Sequence, residues 1–310
     1  MQTVKLEDKQ RPVEGVTTMR VAITGASGLI GTALAARLKS EGHDVRPLKR
    51  GAAADWDPAT GWIRPGALEG IDAVVHLAGE SIGKGRWSPK RKQELRSSRI
   101  DSTRLLVSEI SKMASPPVFV AASAIGYYGN REDEVLDETS ARGEGFLADL
   151  VRDWEAESLK AEDAGARTVL LRFGVILAKE GGALPQMMLP FKFGAGGRLG
   201  SGRQWFSWVA LEDAVSILIR SLTTDMSGVY NVTAPEPVTN RELTKALSKV
   251  LKRPAIVPVP PFALRLVLGE SADELLLAGQ RVLPRRLLDA GFTFRQTEIS
   301  TALESIVKGS

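Results

Sequence analysis

Three glycines at regular spacing follow a short apolar segment near the start of the chain. They form a G-x-x-G-x-x-G pattern, whose residues are Gly25, Ser27, Gly28, Leu29, Ile30 and Gly31, with Ala26 in the second place. In such a loop, the first glycine permits a tight turn, the second lets a diphosphate approach the backbone, and the third allows close helix–strand packing. The N–H groups at the start of the following helix would bind the phosphates. The pattern therefore predicts a dinucleotide-binding loop, the alternative being a strand–turn–helix connection without a ligand.

Two cationic residues, Lys49 and Arg50, follow the second predicted strand. Enzymes that use NAD usually place an acidic residue at this point, about 20 residues after the loop, to accept hydrogen bonds from the ribose. A guanidinium or ammonium group would instead attract the 2′-phosphate of NADP. The cations predict NADP(H) as the cofactor, unless they are only solvated loop charges.

Composition excludes several other kinds of chemistry. The chain has no cysteine and only two histidines, His43 and His76, which are far apart in sequence. Thiolate catalysis and disulfides are therefore excluded, and we expect neither a metal site nor a Ser-His-Asp triad. The formal net charge is +4 with dispersed Lys and Arg, which suits an anionic small molecule better than nucleic acid.

The elements that would hold these residues alternate between strands and helices. Short apolar runs predict strands, and apolar residues at helical spacing predict helices. The predicted strands are 20–24, 44–48, 72–77, 117–123, 167–177 and 228–233, and the predicted helices are 29–41, 90–113, 146–164, 211–223, 239–251 and 298–307. This order predicts an α/β fold, a Rossmann-type doubly wound parallel sheet with a small C-terminal substrate lobe.

The predicted organisation has three parts. Residues 1–18 form a polar, flexible tail, residues 19–180 the NADP-binding Rossmann domain, and residues 181–310 complete the sheet and form the lobe. Clustered Gly and Pro over 181–204 predict irregular loops around a pocket. No apolar run is long enough to cross a bilayer and no signal peptide is recognisable. We therefore expect a cytoplasmic protein without a membrane partner.

The chain resembles the extended short-chain dehydrogenase/reductase family over residues 19–308. Within it, the chain is most similar to the epimerase-like subgroup designated 39U, some bacterial members of which have been labelled cell-division inhibitor homologues. The segments that carry this resemblance are 25–31, 76–80, 85–87, 98–103, 123–129, 145–148, 153–155, 181–183, 190–191, 207–208 and 231–235.

The resemblance implies that NADP(H) lies along the ends of the strands. By motif position, the residues that would contact it beyond the glycine loop are Lys49, Arg50, Leu77, Ala78, Gly79, Glu94, Arg99 and Val175. Lys49 and Arg50 would meet the adenosine phosphate, and Val175 the nicotinamide end. Without the resemblance, Glu94 and Arg99 would be interpreted as a solvent-facing pair on a helix.

The usual catalytic pair of the wider family is missing. Active members use Tyr-x-x-x-Lys on the helix after residue 145, where this chain has Phe146 and Leu150, which cannot exchange protons. Ser123 stands at the strand end where a Ser or Thr orients the substrate carbonyl. Tyr127 or Tyr128 is the nearest replacement acid/base, although packing with one hydrogen bond is the plainer role for both.

Two functions follow from these observations. The first is an NADP(H)-binding epimerase or oxidoreductase that acts on a small molecule, a nucleotide-sugar or another carbonyl or hydroxyl compound. The second is a non-catalytic NADP(H)-binding regulator, for example of cell division, because fold analogy is a poor guide to activity. Relatives in the wider family often pair through two helices, so a homodimer is compatible with the sequence although no pattern requires one.

Overall fold

A twisted parallel sheet flanked by helices forms the body of the protein. The computed structural model describes residues 18–50 and 55–309, so the tail predicted over residues 1–18 lies outside the described part apart from Thr18. The strands are β1 (Arg20–Thr24), β2 (Asp44–Leu48), β3 (Trp56–Asp57), β4 (Trp62–Ile63), β5 (Ala73–His76), β6 (Val118–Ala124), β7 (Val135–Leu136), β8 (Thr168–Phe173), β9 (Val175–Leu177), β10 (Trp205–Phe206), β11 (Trp208–Ala210), β12 (Gly228–Val232), β13 (Val238–Thr239) and β14 (Arg281–Val282). The helices are α1 (Leu29–Ser40), α2 (Pro89–Ile110), α3 (Phe146–Asp163), α4 (Leu184–Lys192), α5 (Leu211–Thr223), α6 (Asn240–Leu251), α7 (Pro261–Leu268), α8 (Arg285–Asp289) and α9 (Ile299–Lys308).

The main sheet has six strands in the order β12-β8-β6-β5-β1-β2, and all its pairings are parallel. The predicted Rossmann-type fold is therefore confirmed. Strand β1 is followed in the chain by β2, its neighbour on one side, whereas β5, its neighbour on the other side, is followed by β6 farther along that side. The connections that leave β1 and β5 therefore run in opposite directions at the carboxyl edge of the sheet. Ligands of open α/β sheets bind at such a switch point.

Helices cover both faces of the sheet, which explains why the central strands β5 and β8 are buried along their whole length. On one face Leu34 and Leu38 of α1 pack with Leu218 of α5, and all three are fully buried. On the other face Leu106 and Ile110 of α2 are fully buried in a second cluster. Burial of each such side chain contributes about 2 kcal/mol relative to exposure, so both layers stabilise the sheet.

The strand predicted over residues 167–177 is interrupted at Gly174. A Cβ at this position would lie 2.7 Å from the Ser207 carbonyl oxygen and 2.9 Å from Cγ2 of Thr233. The chain therefore leaves the main sheet after β8, and β9 pairs with β11 instead. The break turns Val175 and its neighbours toward the carboxyl edge of the sheet.

The C-terminal lobe is built around α4, α6 and α9. The prediction of irregular loops over residues 181–204 was wrong in part, because residues Leu184–Lys192 form a helix that buries Leu184, Met188 and Phe191. Helix α6 begins with a capping box between Thr239 and Glu242. No helix in the described residues is both long and apolar enough to span a membrane.

Candidate functional site

The glycine loop after β1 leaves a bare stretch of backbone at the carboxyl edge of the sheet. Gly25 has a φ of +69°, and a Cβ there would lie 2.7 Å from the Leu77 carbonyl oxygen. A Cβ on Gly31 would lie 2.3 Å from the Gly25 carbonyl oxygen. Both contacts exclude larger residues, because the neighbouring atoms belong to the backbone.

The start of α1 is open to a ligand. Gly28 is extended and exposed beside the exposed Ser27, and a Cβ on Gly28 would meet only the Gly25 carbonyl oxygen, 3.3 Å away, among the described residues. No described side chain caps the helix. The N–H groups of Leu29 and Ile30 at its first turn therefore remain available to an anion.

A cleft of about 290 Å³ lies against this loop. The residues that line it include Gly28, Leu29, Leu77, Gly174, Ile176 and Gly182. Val175 stands between two of these lining residues, and its N–H donates to the Ser207 carbonyl at 2.9 Å. The loop after β1, the loop after β5 and the β9 segment thus meet around one space.

The two cations at the end of β2 differ in their surroundings. The backbone of Lys49 is tied to Asp55, whose carboxylate accepts from the Lys49 N–H at 2.9 Å and whose N–H donates to the Lys49 carbonyl at 2.8 Å. Arg50 has 61% of its side chain exposed, and its Nη2 lies 3.6 Å from Oε1 of Glu80, in the loop after β5. The structure therefore brings the loops after β2 and β5 together through one exposed ion pair.

The loop after β5 is shaped by a chain of buried polar contacts. Thr24 Oγ1 accepts from the N–H groups of Leu77 and Ala78, at 3.2 and 3.3 Å. His76 lies between Thr24 Oγ1 at 2.7 Å and Thr103 Oγ1 at 3.1 Å. These contacts fix the backbone of the residues that the resemblance places against the cofactor.

Burial and the nearby Arg99 guanidinium lower the pKa of His76 to about 3, so its ring is neutral at neutral pH. Burial also lowers the pKa of Arg99 to about 10, which leaves it charged. Arg99 donates to the Glu80 carbonyl at 3.0 Å and packs over the Trp154 ring. A Cβ on Gly79 would lie 3.3 Å from Cζ of Arg99, so a small residue at 79 suits this packing.

Glu94 does not pair with Arg99 in the structure. Its carboxylate lies 3.0 Å from Nη1 of Arg91, and 44% of the Glu94 side chain is exposed. Arg91 also donates to the Ser81 carbonyl at 2.6 Å. Glu94 is thus linked through Arg91 to the loop after β5, the same loop whose backbone Arg99 holds.

Ser123 lies at the carboxyl end of β6 and is almost fully buried. Its hydroxyl donates to Oε1 of Glu155 on α3. Glu155 in turn accepts from Nε and Nη2 of Arg172, both at 2.7 Å. The proton of the Ser123 hydroxyl is therefore held by a buried ion pair.

The two adjacent tyrosines have different environments. Tyr128 is fully buried, donates to Oδ1 of Asn231 at 2.8 Å and accepts from Nη1 of Arg172 at 3.0 Å. Burial raises the pKa of Tyr128 to about 12, and the residue offers no surface to a substrate. Tyr127 is half-buried, and the Arg172 guanidinium lies 3.5 Å from its ring centroid. No hydrogen bond joins the Tyr127 hydroxyl to any described residue, which makes it the more accessible phenol.

The first turn of α3 carries no titratable pair at the positions of the usual Tyr and Lys. Phe146 and Leu150 are apolar, and the N–H groups of Phe146 and Leu147 donate to the two carboxylate oxygens of Glu274 at 2.9 and 2.8 Å. A carboxylate from the C-terminal lobe thus caps the start of α3.

Four residues of this region had no role in the sequence interpretation: Glu80, Glu155, Arg172 and Glu274. Arg172 could have been noticed, because it is a charged residue inside the otherwise apolar run of β8. Glu80 and Glu155 lie inside two segments used for the family resemblance, 76–80 and 153–155. The roles of all four depend on partners from distant parts of the chain.

Comparisons with known proteins show the family of the chain and the folds that it resembles. An epimerase family protein of Mycobacterium leprae is 45% identical over 289 residues, which cover 91% of this chain and 94% of the relative. The structure of human epimerase family protein SDR39U1 with NADPH has a TM-score of 0.85 and 35% identity, over 94% of this chain and 100% of that one.

A nucleoside-diphosphate sugar epimerase structure from Corynebacterium glutamicum has a TM-score of 0.79 and 36% identity, covering 94% of this chain and 58% of its own. A domain of unknown function matches residues 259–306. The model of the NAD dependent epimerase/dehydratase family matches residues 21–233, more than half of the 310 residues. The chain therefore belongs to the NAD dependent epimerase/dehydratase family.

Proposed function

We propose that this chain binds NADP(H) and acts as an oxidoreductase or epimerase on a carbonyl or hydroxyl group of a small molecule, with a nucleotide-sugar as the first candidate. The observation that carries the proposal is the cleft between the open glycine loop and β9. The exposed Arg50 at the end of β2 is the second observation in its favour. The human relative whose structure contains NADPH supports this cofactor. The relative named as a nucleoside-diphosphate sugar epimerase supports this substrate class.

The residues present fit the cofactor. Gly28 has an outer face open to a diphosphate, and the N–H groups of Leu29 and Ile30 lie at the positive end of α1. Lys49 and Arg50 would hold the adenosine phosphate. The remaining contacts that we propose come from Leu77, Ala78, Gly79, Glu94, Arg99 and Val175. When bound, NADP(H) supplies a nicotinamide ring able to give or accept a hydride.

Tyr127 is the residue that we propose to hold or move the substrate proton. Its hydroxyl has no hydrogen-bond partner among the described residues, and its ring rests on the Arg172 guanidinium. Ser123 donates its proton to Glu155, so its oxygen would orient the substrate by accepting a hydrogen bond from a substrate hydroxyl group. We assign Tyr128, fully buried between Arg172 and Asn231, to packing rather than proton transfer.

A second function, cofactor binding without turnover, is favoured by one observation. Phe146 and Leu150 stand at the positions that the resemblance assigns to the Tyr–Lys pair, and Glu274 caps the start of α3, so this pair is missing from the helix. In that case the protein would respond to NADP(H) as a regulator, for example in cell division.

Turnover and binding assays separate the two functions. NADPH would be mixed with a panel of sugar nucleotides and simple carbonyl compounds, and the loss of reduced nicotinamide absorbance would be followed. We expect Tyr127→Phe and Ser123→Ala to lower turnover while NADPH binding is kept. Tyr230→Phe, which alters the tyrosine that stacks with Arg286, serves as the control. Tight NADPH binding with no turnover on the whole panel would favour the regulator.

Two further properties are proposed, the first from the resemblance and the second from the sequence. We propose a homodimer, which light scattering of the purified protein would detect. We also propose a cytoplasmic location, which fractionation of cells that produce the protein would test.

A further inference from the structure

Glu80 lies where the loops after β2 and β5 meet. Its Oε1 is 3.6 Å from Nη2 of Arg50, and its Oε2 is 3.6 Å from Nη1 of Arg91. Arg91 lies closer to Glu94, at 3.0 Å. The Glu80 carboxylate is therefore shared between two cations and fully neutralised by neither.

The two residues of the Arg50–Glu80 pair differ in how firmly the rest of the protein holds them. The N–H of Glu80 donates to Ser98 Oγ at 3.1 Å, and its carbonyl accepts from Nη2 of Arg99 at 3.0 Å. Both anchors lie on α2, which holds the backbone of Glu80 in place. Arg50 has 61% of its side chain exposed, against 37% for Glu80. A ligand that attracts Arg50 can therefore move it, while the carboxylate stays near the site.

The Glu80 carboxylate would interact differently with the two nicotinamide cofactors. NADP carries a phosphate on the 2′-oxygen of its adenosine ribose, where NAD carries a hydroxyl group. A fixed carboxylate repels the phosphate and competes with it for Arg50, whereas it can accept a hydrogen bond from a hydroxyl group. We infer that Glu80 sets the discrimination between the two cofactors, opposing the phosphate that Arg50 attracts. This inference rests on the proposed binding of NADP(H).

As a consequence, the chain prefers NADPH over NADH less strongly than it would without the Glu80 carboxylate. Arg50 favours the phosphorylated cofactor, and Glu80 limits that preference by pairing with Arg50 and by its own charge. Because the pair is exposed, the effect of Glu80 is modest and is screened by salt.

The test compares dissociation constants for NADPH and NADH, measured by fluorescence titration of the full chain at low salt. Glu80→Gln should tighten NADPH binding about two- to fivefold, the range of an exposed charge interaction, without tightening NADH binding. Glu41→Gln is the matched control, because Glu41 forms an exposed pair with Arg37 at the far end of α1. This control should leave both constants unchanged.

A second variant tests the competition for Arg50. In an Arg50→Gln background, Glu80→Gln should tighten NADPH binding by a smaller factor. Weaker NADPH binding by Glu80→Gln would overturn the inference, since Glu80 would then be positioning Arg50 for the phosphate. An unchanged NADPH-to-NADH ratio would overturn it as well. If the wild-type chain bound neither cofactor, the proposed function itself would be wrong. If the wild-type chain bound NADPH and Glu80→Gln left both dissociation constants unchanged, only the inference about Glu80 would be wrong.

Discussion

Arg172 and Glu155 form a bidentate ion pair between β8 and α3, with only 4% and 8% of their side chains exposed. The pair also holds the Ser123 hydroxyl and supports the ring of Tyr127. The two buried charges are tolerated because each neutralises the other and both are hydrogen-bonded.

Glu155→Gln should therefore destabilise the protein strongly. It leaves a buried guanidinium without its counter-charge, a change that typically costs about 3–5 kcal/mol. Glu212→Gln, which breaks the exposed pair with Arg295 at 3.4 Å, should cost less than about 1 kcal/mol. The free energy of unfolding in urea would be measured for both. Equal losses would show that the buried pair contributes no more than a surface one.

The stability of the protein should depend on His76 at acidic pH. The pKa of His76 falls from 6.5 to about 3 on burial, so the unfolded chain binds a proton at this residue before the folded chain does. Its contribution is fully present above pH 6.5 and is lost as the pH falls toward 3, by up to about 1.4 kcal/mol per pH unit.

The variant His76→Gln keeps a donor and an acceptor but cannot titrate. Between pH 6.5 and pH 4 we expect its unfolding free energy to fall less steeply than that of the wild type. Burial raises the pKa values of Asp213 and Glu138, so these two residues stabilise the folded protein more as the pH falls. Because they are present in both proteins, their contribution cancels when the variant is compared with the wild type. Parallel curves would contradict the buried, neutral state of His76.

Gly28→Ala should weaken NADPH binding without unfolding the loop. Gly28 has a φ of −78°, which alanine adopts freely, but the added methyl group would cover the face proposed for the diphosphate. We expect about a tenfold weaker affinity, or about 1.4 kcal/mol. Gly42→Ala is the control: its φ is +86° with no atom within 4 Å of the new Cβ, so it should lower stability by about 1 kcal/mol and leave NADPH binding unchanged. Equal affinities of Gly28→Ala and wild type would place the phosphates elsewhere.

Glu274 should stabilise α3 from the C-terminal lobe. Its carboxylate accepts from the N–H groups of Phe146 and Leu147, which would otherwise lack a partner at the helix start. Glu274→Ala should lower the free energy of unfolding by about 1 kcal/mol, as the loss of an N-cap does. Hydrogen exchange at these two amides should also become faster. Unaltered exchange would mean that the cap is not formed in solution.

The sequence predicted the main sheet well because its signals are local. Strands β1 and β2 and helix α5 have the predicted bounds. The apolar residues of β1 are contiguous and those of α5 recur at helical spacing, and both are local signals. The glycine loop was predictable for the same reason. Helix α4 was missed because Pro185, Pro190 and the neighbouring glycines suggested loops, whereas packing of its apolar face against the lobe stabilises the helix.

The candidate site was less predictable because its contacts join distant segments. Arg50 meets Glu80 only once the strand order is set, and Glu155 meets Arg172 only once α3 packs against β8. The adjacent residues Tyr127 and Tyr128 look alike in sequence, yet the backbone turn at Ile125–Tyr128 buries one fully and the other in part. Such differences arise from tertiary packing and leave no local signal.

Calorimetric titration of the wild-type chain with NADPH and with NADH, in the same buffer and at the same salt concentration, tests the central claim most directly. We expect NADPH to bind more tightly than NADH by at least about tenfold, which corresponds to about 1.4 kcal/mol. Absence of measurable binding of either cofactor at about 1 mM, a free energy near −4 kcal/mol, would contradict a dinucleotide site at the glycine loop.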